Sequence, residues 1–180
     1  INKLNLRKND VFLDIGCGSL RVGKFLINYL EKDNYLGLEP ERKLIDEAIK
    51  YENIDLNKIP QFVCNYKFEF NFTKKPNYCF ANSVFTHLNK SDINLCFHKL
   101  DNFTDEDVVF FATFSTTPIK LFLPFKSHSH RGFNYTINQI KDFGYKNNFN
   151  FFKYMGNEWG HPRKQHLFLF TKKYEIFKKY

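Results

Sequence analysis

Between Val11 and Ile49 the chain twice passes from a short apolar run into a helical stripe, and this repeat constrains the fold more than any other feature. Val11-Phe12-Leu13-Asp14-Ile15 ends in Gly16-Cys17-Gly18. Beyond it Val22, Phe25, Leu26, Tyr29 and Leu30 recur at the spacing of one helix face. Lys32-Asp33-Asn34 interrupts the pattern, and Tyr35-Leu36-Gly37-Leu38-Glu39 reads as a second strand. Pro40 then stands at a favoured first helical position, ahead of the stripe Leu44, Ile45, Ala48 and Ile49. Two strand-helix units in about 50 residues predict a parallel sheet with right-handed crossovers.

The alternation continues. Strand signals lie at Gln61 to Asn65, Tyr78 to Asn82 and Val108 to Phe114, with a helix from Asp92 to Asn102 between the last two. The period dissolves over residues 115–134, a length of loop that usually has a function in a compact domain. Thr136 and Gln139 form a capping-box start for a helix ending near Gly144. Phe149 to Tyr154 and His166 to Thr171 read as two closing strands. Their connection, MGNEWGHPRK, has no helical stretch, so the two strands should pair antiparallel. With 180 residues the chain is one domain, 1–180. It opens INKLNLRKND without an initiator Met, so residues upstream are expected.

A 43% hydrophobic and 26% charged composition excludes a disordered chain, and no run reaches the roughly 18 apolar residues of a membrane span. The net charge of +8 would ordinarily suggest nucleic acid. It carries little weight here. Arginine is confined to Arg7, Arg21, Arg42, Arg131 and Arg163, alanine to Ala48, Ala81 and Ala112, while Lys, Asn, Phe, Tyr and Ile abound, as AT-rich coding would produce. Cys17, Cys64, Cys79 and Cys96 form no C-x-x-C pair and sit among apolar neighbours. Buried, reduced thiols and a cytoplasmic location are the expectation.

A glycine turn between strand and helix lets the backbone approach a ligand. The dinucleotide fingerprint G-x-G-x-x-G is not met, since Arg21 stands at its third glycine. Asp14, immediately before the turn, would repel a pyrophosphate and suits a cation. Glu39 ends the second strand 25 residues on, where a carboxylate can accept both hydroxyls of a ribose. One acid for a cation and one for a ribose point to a nucleoside sulfonium.

At these residues the sequence resembles the class I S-adenosylmethionine-dependent methyltransferases. VFLDIGCGS looks like their first motif and YLGLEP like their second, with the ribose acid at Glu39. FVCNYKF is similar to the third-strand segment that touches adenine, with Asn65 in place of the usual Asp. PNYCFANSVFTHL resembles the fourth strand and its turn, with Asn77 where an Asp is common. A third glycine of the first motif would fall at Leu20. The resemblance implies a Rossmann-like α/β fold, a mainly parallel seven-stranded sheet of order 3-2-1-4-5-7-6 with strand 7 antiparallel. It also implies S-adenosylmethionine as cofactor, S-adenosylhomocysteine as product, and contacts from Asp14, Gly16, Cys17, Gly18, Glu39, Pro40, Asn65 and Asn82. Plainer roles stand beside these. Asp14 could cap the glycine turn, Glu39 could be a helix-start acid, and Asn65 could equally be a turn former.

Methyl transfer from a sulfonium is an in-line displacement, so the protein must align the acceptor and, for a hydroxyl, deprotonate it. Histidine is the natural base near neutral pH. His87, after the fourth strand, and His161, between the last two, are the candidates. His98 in a helix and His166 opening a strand read as structural. His128, His130 and Arg131 in the long loop, with Glu158, Trp159 and Arg163 near His161, are the candidate acceptor contacts. No metal site is expected, because no spacing such as H-E-x-x-H occurs.

Amino-methylating relatives carry an Asn/Asp-Pro-Pro-aromatic turn after the fourth strand, where this chain reads Ala81-Asn82-Ser83-Val84. A small polar, anionic metabolite methylated at oxygen is therefore the favoured acceptor, such as a sugar, phosphorylated or capsule-type precursor. N-methylation of nucleic acid or protein, and a catalytically inactive cofactor-binding module, are the alternatives.

Overall fold

The computed structural model describes residues 5–119, 126–127, 132–157 and 160–180. Eight strands and five helices follow in the order β1 (Phe12–Ile15), α1 (Gly23–Tyr29), β2 (Tyr35–Leu38), α2 (Arg42–Tyr51), β3 (Gln61–Val63), β4 (Tyr78–Ala81), α3 (Lys90–Phe103), β5 (Val109–Thr116), β6 (Asn134–Tyr135), α4 (Ile137–Tyr145), β7 (Phe151–Tyr154), β8 (His166–Thr171) and α5 (Tyr174–Phe177). The sheet runs β3-β2-β1-β4-β5-β8-β7, with β6 added alongside β5. β8 is antiparallel to both β5 and β7, and the ladders joining β1 to β5 are parallel. This is the expected order with one difference. The two-residue β6 makes an eighth strand, pairing Ser115 with Asn134 and Thr116 with Tyr135, so both ends of the 115–134 segment belong to the sheet.

Strand alternation divides the core into two layers. Leu13, Ile15, Cys79, Ala81, Phe110, Ala112, Phe114, Phe168 and Phe170 face α3 and α4. Phe12, Tyr35, Tyr78, Val109, Phe111, Leu167 and Leu169 face α1, α2 and the C-terminal residues Ile176, Phe177 and Tyr180. Phe97 of α3 anchors the first layer. Its ring centroid lies 5.1 Å from Phe110, 5.0 Å from Phe170 and 5.7 Å from Phe149. The abundance of phenylalanine thus resolves into interlocking rings in edge and tilted contact, which add specific geometry to their area burial.

Helix boundaries depart from the sequence pattern in ways that bear on the site. α2 begins at Arg42, with Glu41 as its N-cap, so Pro40 lies ahead of the helix and not at its first position. α1 begins at Gly23, separated from the glycine turn by residues 19–22. Phe25 is 63% exposed and Leu44 37% exposed, because the buried stripes are carried by Leu26, Ile27 and Leu30 and by Ile45 and Ala48. The capping box of α4 forms as expected, with Thr136 and Gln139 reciprocally bonded. All four cysteines are free, and Cys64 is exposed where burial was expected, since it lies just past the end of β3. No helix among the described residues is long and apolar enough to cross a membrane.

Candidate active site

The C-terminal ends of β1, β2, β4 and β5 share one edge of the sheet, and Gly16, Gly18, Glu39 and Asn82 follow β1, β2 and β4 there. Leu38 at the end of β2 holds the glycine turn: its carbonyl accepts from the N–H of Gly16 at 2.7 Å and of Cys17 at 3.1 Å. The turn is tight for steric reasons. Gly16 has φ +70°, and a Cβ there would lie 2.5 Å from Val84 Cγ2, while Gly18 has φ +53° and open space where a Cβ would project. Backbone at Gly18 can therefore be approached closely. Leu20, where the resembled family places a third glycine, adopts φ +55° while wholly buried. The residue departs from the motif; its left-handed conformation is one that glycine takes readily.

Glu39 is drawn onto this turn. Its Oε2 accepts from Gly18 N–H at 2.9 Å and its Oε1 from Glu41 N–H at 3.0 Å. Each oxygen retains acceptor capacity for a hydroxyl. Asp14 shares the strand face of Phe12 and points toward α1 and α2, where Tyr35 O–H donates to its Oδ2 at 2.9 Å. Tyr35 can stand there because Gly23 lacks a side chain; a Cβ at Gly23 would lie 2.4 Å from the phenol oxygen. Burial raises the Asp14 pKa to about 7, the Tyr35 hydrogen bond opposes this, and the Glu39 charge adds to it. A nearby cation would relieve both unfavourable influences. The Cys17 thiol is buried, and desolvation with the Asp14 and Glu39 charges pushes its pKa up, so this residue offers its backbone and not a thiolate.

Asn65 uses its side chain on its own loop. Its Oδ1 accepts from Lys67 N–H at 2.9 Å and Glu69 N–H at 3.0 Å, and its Nδ2 donates to Glu69 O at 3.0 Å, as the turn-forming role requires. Asn77, at the other departure from the motif, ties β4 to β1 by accepting Val11 N–H at 2.9 Å. Tyr66 donates its hydroxyl to Glu41 beside the cradle. At the end of β4, Asn82 Oδ1 is buried without a hydrogen-bond partner among the described residues. A buried acceptor of this kind can take a hydrogen bond from a ligand or from an ordered water.

On the other side of the turn, His87 closes the short 3-10 turn Phe85–His87 and is half-buried. His161 Nε2 lies 2.8 Å from Ser83 Oγ, and His161 Nδ1 accepts from Arg163 N–H at 3.1 Å. Desolvation and the Arg163 charge lower the His161 pKa. Thr113 and Gln165 complete a buried cluster with Ser83. These three were not apparent from sequence because their contacts join residues 30 to 82 positions apart. Arg163 is exposed on the same connection. His98 is exposed on α3, and His166 Nδ1 meets Thr116 Oγ1 at 2.8 Å. His128, His130, Arg131, Glu158 and Trp159 lie outside the described residues.

No protein-family model matches the chain, and no curated protein sequence matches it. Solved structures match it in fold. Magnesium protoporphyrin IX methyltransferase from Synechocystis PCC 6803, with bound S-adenosylhomocysteine, aligns at a TM-score of 0.69 and 14% identity, over 96% of this chain and 78% of that one. An S-adenosylmethionine-dependent methyltransferase from Methanosarcina mazei aligns at 0.68 and 11% identity, over 94% of each chain. Human N-acetylserotonin methyltransferase in complex with S-adenosylmethionine aligns at 0.68 and 10% identity, over 91% of this chain and 47% of that one. The chain therefore has the Rossmann-like fold of S-adenosylmethionine-dependent methyltransferases.

Proposed function

We propose that this chain is an S-adenosylmethionine-dependent methyltransferase acting on a small polar, anionic acceptor, at oxygen. The observation that carries the reading is the pairing of Gly18 N–H with Glu39 Oε2, on the turn that follows the buried Asp14, at the C-terminal edge of a methyltransferase-type sheet. The residues fit the cofactor on structural grounds. Glu39 has acceptor capacity for two ribose hydroxyls, Asp14 is an acid whose charged form a cation would favour, and Asn82 offers a buried acceptor in want of a donor.

When bound, the cofactor supplies an electrophilic methyl group. The chain's part is to hold the reactants in line, exclude water and accept a proton. His87 on the turn after β4 is the first candidate for that proton, because the Nδ1 lone pair of His161 is already engaged by Arg163 N–H. His161 could act as base only by giving up that bond. The exposed Arg163 would attract an anionic group on the acceptor. A cytoplasmic site of action and a small-molecule partner belong to the same proposal.

A screen of sugar phosphates, nucleotides, small acids, nucleic acid and protein with S-adenosylmethionine, following S-adenosylhomocysteine release, tests the reading. Methylation of a small anionic hydroxyl compound supports it. Turnover only on nucleic acid or protein, or none with any of them, overturns it.

A further inference from the structure

The hydrogen bonds beneath the β7–β8 connection are consistent with one proton arrangement. Arg163 N–H donates to His161 Nδ1, so that nitrogen carries the lone pair and the neutral ring bears its proton on Nε2. Nε2–H then donates to Ser83 Oγ at 2.8 Å, and Ser83 O–H donates to Gln165 Oε1 at 3.3 Å. Thr113 O–H donates to the same Oε1 at 2.7 Å and Thr113 Oγ1 accepts Ser83 N–H at 2.8 Å. Thr113 and Gln165 are almost wholly buried, and Ser83 is held at φ +60°, a conformation a serine keeps only where its surroundings fix it.

The chain of bonds fastens residues 161–165 to the turn after β4 and to β5. With neutral His161 every bond in it is made, whereas a protonated ring keeps the Nε2–H bond to Ser83 and loses the one from Arg163 N–H. A second proton, on Nδ1, would face the Arg163 N–H, so the hydrogen bond there would be replaced by two opposed donors. Among the described residues the Arg163 charge bears on the ring, and the uncharged Ser83, Thr113 and Gln165 join it from the β4 turn, from β5 and from the residue before β8.

We propose that Ser83, Thr113 and Gln165 are positioning residues: they hold neutral His161, and through it the connection carrying Arg163, over the ends of β4 and β5, so that the acceptor side of the cleft is assembled only while His161 is unprotonated. The word acceptor rests on the methyltransferase reading above, whereas the tether itself does not.

The test uses the full chain without cofactor, so its outcome is independent of the enzymatic reading. Long-range nitrogen-proton NMR reports the His161 tautomer, and amide exchange reports the connection. At about pH 8 the expected tautomer is Nε2–H, and on acidification to about pH 5 the amides of Arg163 and Lys164 should exchange at least tenfold faster than intrinsic rates explain. Ser83→Ala should reproduce that loss at high pH, and Thr113→Val should do so from the β5 side. His161→Gln, whose amide can still donate to Ser83 but which has no titrating ring, should make the exchange of the Lys164 amide independent of pH over this range, and a pH dependence that persists in it would overturn the proposal. An Nδ1–H tautomer, pH-independent exchange in the wild type, or unchanged exchange in either Ser83→Ala or Thr113→Val would overturn the proposal.

Discussion

The main-chain N–H of Gly18 and the carboxylate of Glu39 meet at 2.9 Å, joining the turn after β1 to the end of β2. The second carboxylate oxygen accepts Glu41 N–H at 3.0 Å, so one side chain satisfies two backbone donors. Glu39→Gln keeps one acceptor oxygen but turns an NH2 toward the other donor. A loss of about 1–3 kcal/mol is expected in urea denaturation of the cofactor-free chain.

Asp14 gives a pH dependence of defined sign. Its pKa rises from 3.8 to about 7 on folding, so between these values the folded chain holds a proton that the unfolded chain has released. Stability of the cofactor-free protein should therefore fall as pH rises from about 4 to about 7, then level off, by at most about 4 kcal/mol. Asp14→Asn, which can still accept from Tyr35 O–H, should abolish this slope. Thermal unfolding across that range checks both.

Leu20 sets backbone strain against burial. Replacement by glycine would relieve roughly 1 kcal/mol of left-handed strain but remove a wholly buried side chain worth roughly 3–5 kcal/mol. Leu20→Gly should consequently destabilise by about 2–4 kcal/mol in chemical denaturation, although it brings the sequence nearer the family motif.

Phe97→Ala opens a cavity among Phe85, Phe110, Phe149 and Phe170. The expected loss is about 3–5 kcal/mol, read from the urea midpoint, with a larger effect than the same change at the exposed Phe25.

The sheet was legible because its signals are local. The run Val11 to Ile15 before Gly16, and the capping box at Thr136, can be read within a few residues. The positions of Asp14 near the end of β1 and Glu39 just past β2 could be read for the same reason. Tyr35 as the partner of Asp14 could not be, because the space it uses is created by Gly23 on a different element. Ser83, Thr113 and Gln165 acquire their roles only when the connection before β8 folds over β4 and β5. The exposure of Phe25 and Leu44 likewise depends on how α1 and α2 are rotated on the sheet, which a broad apolar stripe does not specify.

In the proposed function the Gly16–Gly18 turn with Asp14 and Glu39 forms an S-adenosylmethionine cradle. Calorimetric titration of S-adenosylmethionine into the folded chain tests it most directly, with Glu39→Ala as the paired variant. The account predicts saturable 1:1 binding, weakened at least about tenfold, or roughly 1.4 kcal/mol, by Glu39→Ala. A folded wild-type chain giving no binding heat at several temperatures and no change in thermal stability with the cofactor would contradict it, as would binding that Glu39→Ala leaves unchanged.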